Sequence, residues 1–133
     1  MSDTVARWHA YLAAPDAAAL HALIADDCVF RSPAVHTPQA GKKLTVKYLA
    51  AAAEVLGNPS FRYIGEWRAE RSAVLAFACE VDGLSVEGVD IIAWNAAGQI
   101  DAFTVMIRPL KALHAVVAAM GAALAEADQA VTS

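Results

Sequence analysis

Only two cysteines occur in 133 residues, Cys28 and Cys79, and they lie far apart. That excludes a disulfide framework and any C-x-x-C metal or redox motif, and it reads as two buried free thiols. The four histidines, His9, His21, His36 and His114, form neither H-x-x-x-H nor H-E-x-x-H spacing, so no metal or other cofactor is expected. Positive charge is scarce as well. Ten Lys and Arg are scattered against fourteen Asp and Glu, a net charge of −4, which leaves no basic stripe for a phosphate backbone and makes nucleic acid an unexpected partner. Met1 to Val5 lack the basic and then apolar pattern of a secretory signal, so the expected compartment is the cytoplasm. Hydrophobic residues make up 58% of the chain, but much of this is alanine. Charges break each apolar run well before a span's length, so no membrane partner is expected.

What is present suits one domain over residues 1–133 with a single core. Val5, Trp8, Tyr11 and Leu12 recur at helical spacing over residues 3–14, and Pro15-Asp16 starts a second short helix with Leu20, Leu23 and Ile24 on its apolar face. A short β-rich run follows at 28–31, then a loop to Gly41, then a third helix from Lys42 to about Leu56. After Gly57-Asn58-Pro59 the pattern changes to alternation, which predicts four antiparallel strands near 60–70, 73–81, 84–95 and 99–108. Leu110, Leu113, Val117, Met120 and Leu124 form the stripe of a final helix. Helices first and a meander after imply an α+β fold, with helices gathered on one face of a curved sheet.

Asp82-Gly83 is the residue pair that a two-residue type I′ hairpin favours. If it sets the register, Val81 pairs with Leu84, and Asp90 then shares a face with Leu75, Phe77, Cys79, Val86, Ile92 and Trp94. The opposite face carries smaller residues and two carboxylates, Glu80 and Glu87, so Asp90 is expected to point inward. An inward carboxyl must be hydrogen-bonded, paired or protonated. It either bonds a nearby indole, hydroxyl or water as ordinary structure, or it is a functional acid.

The run Ala25-Asp26-Asp27-Cys28-Val29-Phe30-Arg31-Ser32-Pro33, with Gly41 opening a helix, and Asp90 followed by Gly98-Gln99-Ile100, resemble the NTF2-like superfamily in its SnoaL-like and ketosteroid-isomerase branch. The resemblance covers nearly the whole chain. It implies a cone-shaped α+β barrel, helices packed in the concave face of a curved, mainly antiparallel sheet, and a deep apolar pocket for a small apolar ligand. Asp90 falls where such isomerases carry a proton-donating aspartate. Ser32 stands where they keep the general base, and Trp8 where they keep the oxyanion phenol, so ketosteroid isomerisation is not expected. The epoxide-hydrolase branch would need an arginine at position 88, which is glycine.

The candidate catalytic residues are therefore Asp90, Ser32 and His36. The candidate binding residues are Trp8, Leu12, Phe30, Tyr48, Leu49, Phe77, Ile92, Phe103, Val105 and Ile107. The function expected is binding of a small hydrophobic molecule, with isomerase or cyclase chemistry using Asp90 as acid. The alternative is a non-catalytic ligand-binding or dimerisation domain of the same fold. The outward set Val74, Ala76, Ala78, Val89, Ile91, Thr104 and Met106 is apolar enough to predict a homodimer through the outer sheet face.

Overall fold

The computed structural model describes residues 3–132, with side chains as far as residue 127. Its elements in chain order are α1 (Thr4–Ala13), α2 (Ala17–Leu23), β1 (Ile24–Arg31), β2 (Gln39–Ala40), α3 (Lys42–Leu56), β3 (Arg62–Arg68), β4 (Ser72–Val81), β5 (Leu84–Trp94), β6 (Ile100–Arg108) and α4 (Leu110–Thr132). The six strands form one sheet in the order β2-β1-β6-β5-β4-β3. The β1–β6 pair is parallel and the rest are antiparallel. This is the expected α+β architecture with a curved, mainly antiparallel sheet.

Local chemistry sets the helix starts. Asp3 accepts the Ala6 N–H at 3.1 Å at the head of α1, and Asp16 accepts from Ala18 and Ala19 at the head of α2. These bonds satisfy amides that the first helical turn would otherwise leave free. Gly41, at φ 102°, turns the chain into α3, and its N–H donates to the Cys28 carbonyl at 2.8 Å. Thr45, fully buried, donates its hydroxyl to the Gly41 carbonyl at 2.9 Å and stands 3.4 Å from the Cys28 carbonyl, so the start of α3 is fastened to β1.

The hairpin register is the expected one. Asp82 and Gly83 both have positive φ, 52° and 75°, and Val81 pairs with Leu84, Phe77 with Gly88 and Leu75 with Asp90. Leu75, Phe77, Val86, Ile92 and Phe103 form the buried face of the sheet, against Val5, Trp8, Leu20, Leu23, Leu49 and Val116 from the helices.

Four expectations need correction. Ile24 opens β1 instead of closing α2, and β1 begins four residues before the expected run. Between Ile24↔Ile100 and Val29↔Ala102 the register slips, and Asp26 and Asp27 ride outward on that irregularity. Strand β2 was not expected, since two residues carry no readable periodicity. In α4 the buried face is Ala112, Val116 and Ala123, while Leu110 is 66% exposed. The charges of α4 also fail to break it as expected. Leu110–Ala127 is long and apolar enough, by length and composition, to cross a membrane, although here it packs on α3 and the sheet.

Candidate functional site

Beneath the sheet lies a cavity of about 480 Å³. Trp8 and Leu12 of α1, Tyr48, Leu49, Ala52, Ala53 and Leu56 of α3, and Val116, Val117, Met120, Gly121 and Leu124 of α4 form its helical walls. The sheet contributes Phe30, Tyr63, Asp90, Phe103, Val105 and Ile107, and the turns at Ser32–Val35 and Gly57–Pro59 frame it. Alternation places the strand residues: Asp90 of β5 pairs with Val105 of β6 and Leu75 of β4, all on the inner face. Helical spacing places Tyr48, Leu49, Ala52 and Ala53 on one side of α3.

At the buried floor of the cavity a relay of three side chains ends on the carboxyl. Trp8 donates its indole N–H to Tyr63 Oη at 2.9 Å, and Tyr63 donates its hydroxyl to Asp90 Oδ2 at 2.6 Å. An indole can only donate, so the phenol must turn its own hydrogen elsewhere, and Asp90 receives it. Asp90 is 7% exposed. No buried side-chain nitrogen or oxygen among the described residues lacks a partner, and Asp90 Oδ1 takes no hydrogen bond from them, so Oδ1 opens onto the cavity.

Burial pushes the Asp90 carboxyl up from 3.8 to about 7, against the opposing pull of the Tyr63 hydrogen bond. Desolvation disfavours the charged form, and among the described residues no cation lines the cavity to offset it. Tyr63 is shifted far upward by burial and by the neighbouring Asp90, and it stays a neutral donor. When Asp90 is protonated, Oδ2 is engaged by Tyr63, so the proton sits on Oδ1 and is presented to whatever fills the cavity.

Most sequence candidates meet at this cavity: Asp90, Ser32, Trp8, Leu12, Phe30, Tyr48, Leu49, Phe103, Val105 and Ile107 all line it. Three do not. Phe77 and Ile92 have the expected inward parity but are fully buried behind the wall, in the core. His36 lies in a separate shallow hollow with Arg31 and Pro38, because the chain turns outward after Val35. Ser32 lines both hollows, and its Oγ accepts the Ala34 N–H at 2.9 Å, the work of a turn residue. Trp8 reaches Asp90 through Tyr63 and not directly.

Tyr63 is the site residue that the sequence reading missed. Phe61 and Tyr63, two residues apart before a strand partner carrying Phe77, were the available signal. The register slip between Tyr63 and Gly65 hides it, because the parity of β3 changes there. The α4 wall was foreseen as a helix but not as part of the site.

Among the described residues no group of three or more His, Cys, Asp or Glu is placed to hold a metal ion.

Comparison with known proteins places this geometry. A family model described as the SnoaL-like domain matches residues 5–103. The chain is similar to a steroid delta-isomerase from Pseudomonas aeruginosa, at 35% identity and a TM-score of 0.87, over 92% of this chain and 90% of that one. An uncharacterized protein with a cystatin-like fold from Silicibacter pomeroyi is similar at 33% identity and a TM-score of 0.83, over 92% of this chain and 85% of that one. The epoxide hydrolase/cyclase-like enzyme SalBIII, which acts in pyran ring formation in the polyether salinomycin, shares the fold at 15% identity and a TM-score of 0.65, over 82% of this chain and 90% of that one. No curated protein matches the chain.

Proposed function

This chain belongs to the SnoaL-like domain family, and on that footing we propose that it binds a small, mainly apolar molecule in the cavity and acts on it as an isomerase or cyclase, with Asp90 as the acid. The observation that carries this reading is Oδ1 of Asp90, a carboxyl oxygen that takes no hydrogen bond from the described residues, at the floor of an apolar cavity. A cavity of about 480 Å³ falls in the range that holds drug-sized ligands. A protonated Oδ1 would donate to a ligand oxygen where negative charge develops.

One observation favours the second reading, a binding domain without catalysis. Among the described residues lining the cavity, none is a histidine, lysine or second carboxylate that could act as base. Ser32 is committed to its turn and His36 faces another hollow.

Titration with 5-androstene-3,17-dione, followed by tryptophan fluorescence, tests both readings. Binding is expected, with turnover slower by roughly a hundred- to ten-thousand-fold than in a base-bearing isomerase. Failure of this and other neutral apolar molecules to bind would overturn the cavity reading, and efficient turnover would show that another base has taken over.

The same reading includes a cytoplasmic homodimer formed through the outer sheet face. That face carries Val74, Ala76, Val89 and Ile91, with Met106 at 55% and Trp67 at 62% exposure, an apolar patch that association would cover. Glu87 and Arg108, paired at 3.3 Å, lie on the same face. Ile91→Glu is expected to convert the dimer to a monomer in sedimentation while leaving ligand affinity within about two-fold, since only a like face would lose its complement. A wild type that sediments as a monomer at micromolar concentration would refute the dimer.

A further inference from the structure

We infer that, in its ionised form, the cavity takes a hydrophobic ammonium ion, with Asp90 Oδ1 as the counter-ion and the surrounding rings as the cage. The inference rests on the cavity reading above and names a ligand class for it. Three observations carry it. The first is charge. Among the described residues Asp90 is the only carboxyl lining the cavity and no Lys, Arg or His lines it, so these residues leave the site neutral or negative. With Asp90 ionised, the carboxylate and the ring faces both disfavour an anionic ligand. The second is the wall. Trp8, Phe30, Tyr48, Phe61, Tyr63 and Phe103 all line the cavity. Phe30 stacks on Tyr48 at 5.5 Å between centroids, and Trp8 meets Phe103 edge-on at 5.0 Å, so the rings are held in place by one another. Ring faces attract a desolvated cation, and they do so most when water is excluded. The third is the unmatched oxygen. A buried carboxylate without a cation is costly, and a ligand that brings the cation removes the cost.

A bare metal ion does not meet these demands, because one carboxylate oxygen and aromatic faces cannot complete its coordination. An alkylammonium does: it brings one charge, one to three N–H donors and an apolar body. Few other groups can disturb the titration. β4 presents Leu75 to Asp90, β6 presents Val105 and α1 presents Trp8, none of them titratable. β3 presents Tyr63 and α3 presents Tyr48 across the cavity, while Cys79 of β4 lies further along the inner face, opposite Val86.

The test compares one apolar cage bearing two heads, 1-aminoadamantane and 1-adamantanol, by calorimetry at pH 5.5 and 8.5. The amine stays protonated at both. With Asp90 titrating at about 7, the ionised fraction rises about thirty-fold between these pH values, and the amine's affinity should rise by the same factor. The alcohol should change less than about three-fold, because it can accept from the acid form and donate to the ionised one. Asp90→Asn should abolish the amine's pH dependence and keep the alcohol. An amine affinity that is flat with pH, or a gain that survives in Asp90→Asn, overturns the inference. Should the variant not fold, the wild type decides by NMR of the Asp90 carboxyl carbon. The amine should lower its titration midpoint by at least about one pH unit, and an unmoved midpoint overturns the inference. Binding of the alcohol without the amine defeats only the ammonium assignment, whereas binding of neither defeats the cavity reading as well.

Discussion

Asp90→Asn isolates what a lone buried carboxyl does to its own fold. In the unfolded chain the group titrates near 3.8, and in the folded protein near 7. Between those values the native state holds a proton that the unfolded state has released, so stability falls as pH rises. The contribution is fully present below pH 3.8 and is gone above pH 7. A shift of about three units corresponds to roughly 4 kcal/mol across the whole range. Within the accessible window from pH 5 to pH 8, the loss is roughly 2.5 kcal/mol by the linkage relation. Asparagine keeps an oxygen that can accept from Tyr63, at nearly the same volume, and cannot ionise. Urea unfolding of wild type and Asp90→Asn at pH 5, 6, 7 and 8 is the assay. Subtraction cancels every group the two proteins share, and the difference should move by roughly 2.5 kcal/mol in favour of the variant on going from pH 5 to pH 8. A difference independent of pH, or one that moves the other way, would refute the burial of an uncompensated carboxyl.

Two further substitutions probe the support of the site. Tyr63→Phe removes the hydrogen bond that holds Asp90 down and leaves the Trp8 indole without its acceptor. The Asp90 midpoint should rise further, and stability at pH 5 should fall by about 1–3 kcal/mol, read by carboxyl NMR and urea unfolding. Gly88→Ala places a methyl 2.4 Å from the Phe77 ring and 2.6 Å from the Met106 carbonyl. Phe77 is fully buried against Phe61 and Tyr63, so the ring cannot give way freely, and a loss of about 1–3 kcal/mol in thermal or urea unfolding is expected.

The fold was legible because one turn fixes so much of it. Asp82-Gly83 tolerates the left-handed backbone that a two-residue hairpin needs, and a strand has period two, so the turn alone assigns each residue from Ser72 to Trp94 to a face. Irregular pairing is what escaped. The expected strand began only at Cys28 because the acidic pair Asp26-Asp27 interrupts apolar periodicity in a helix and a strand alike. Only the partner strand, Ile100 opposite Ile24, shows that the chain is already extended there. Likewise the stripe of α4 was displaced because alanine, at nine of its 23 positions, is spread around the helix. Ala112 and Ala123 carry the close contact, and small residues leave no contrast from which to read a face.

The site was legible to the extent that it is built from strand parity, and no further. Asp90, Phe103, Val105 and Ile107 follow from alternation, but alternation gives direction and not depth. Phe77 and Ile92 point the same way as Asp90 and are core: Phe77 lies against the rings of Phe61 and Tyr63, and Ile92 is fully buried on the other side of Asp90 along the sheet. The relay from Trp8 through Tyr63 to Asp90 joins residues 55 and 27 positions apart, on a helix and two strands that are not neighbours in the sheet. Its consequence is chemical. In a site holding only Trp8 and Asp90, the indole would donate to the carboxyl and favour its charge. With Tyr63 between them, the indole orients the phenol, the phenol occupies Oδ2, and the one oxygen left to the cavity is the one whose protonation burial has raised to near neutrality. A single tyrosine on a displaced strand thus decides which atom of Asp90 a ligand meets.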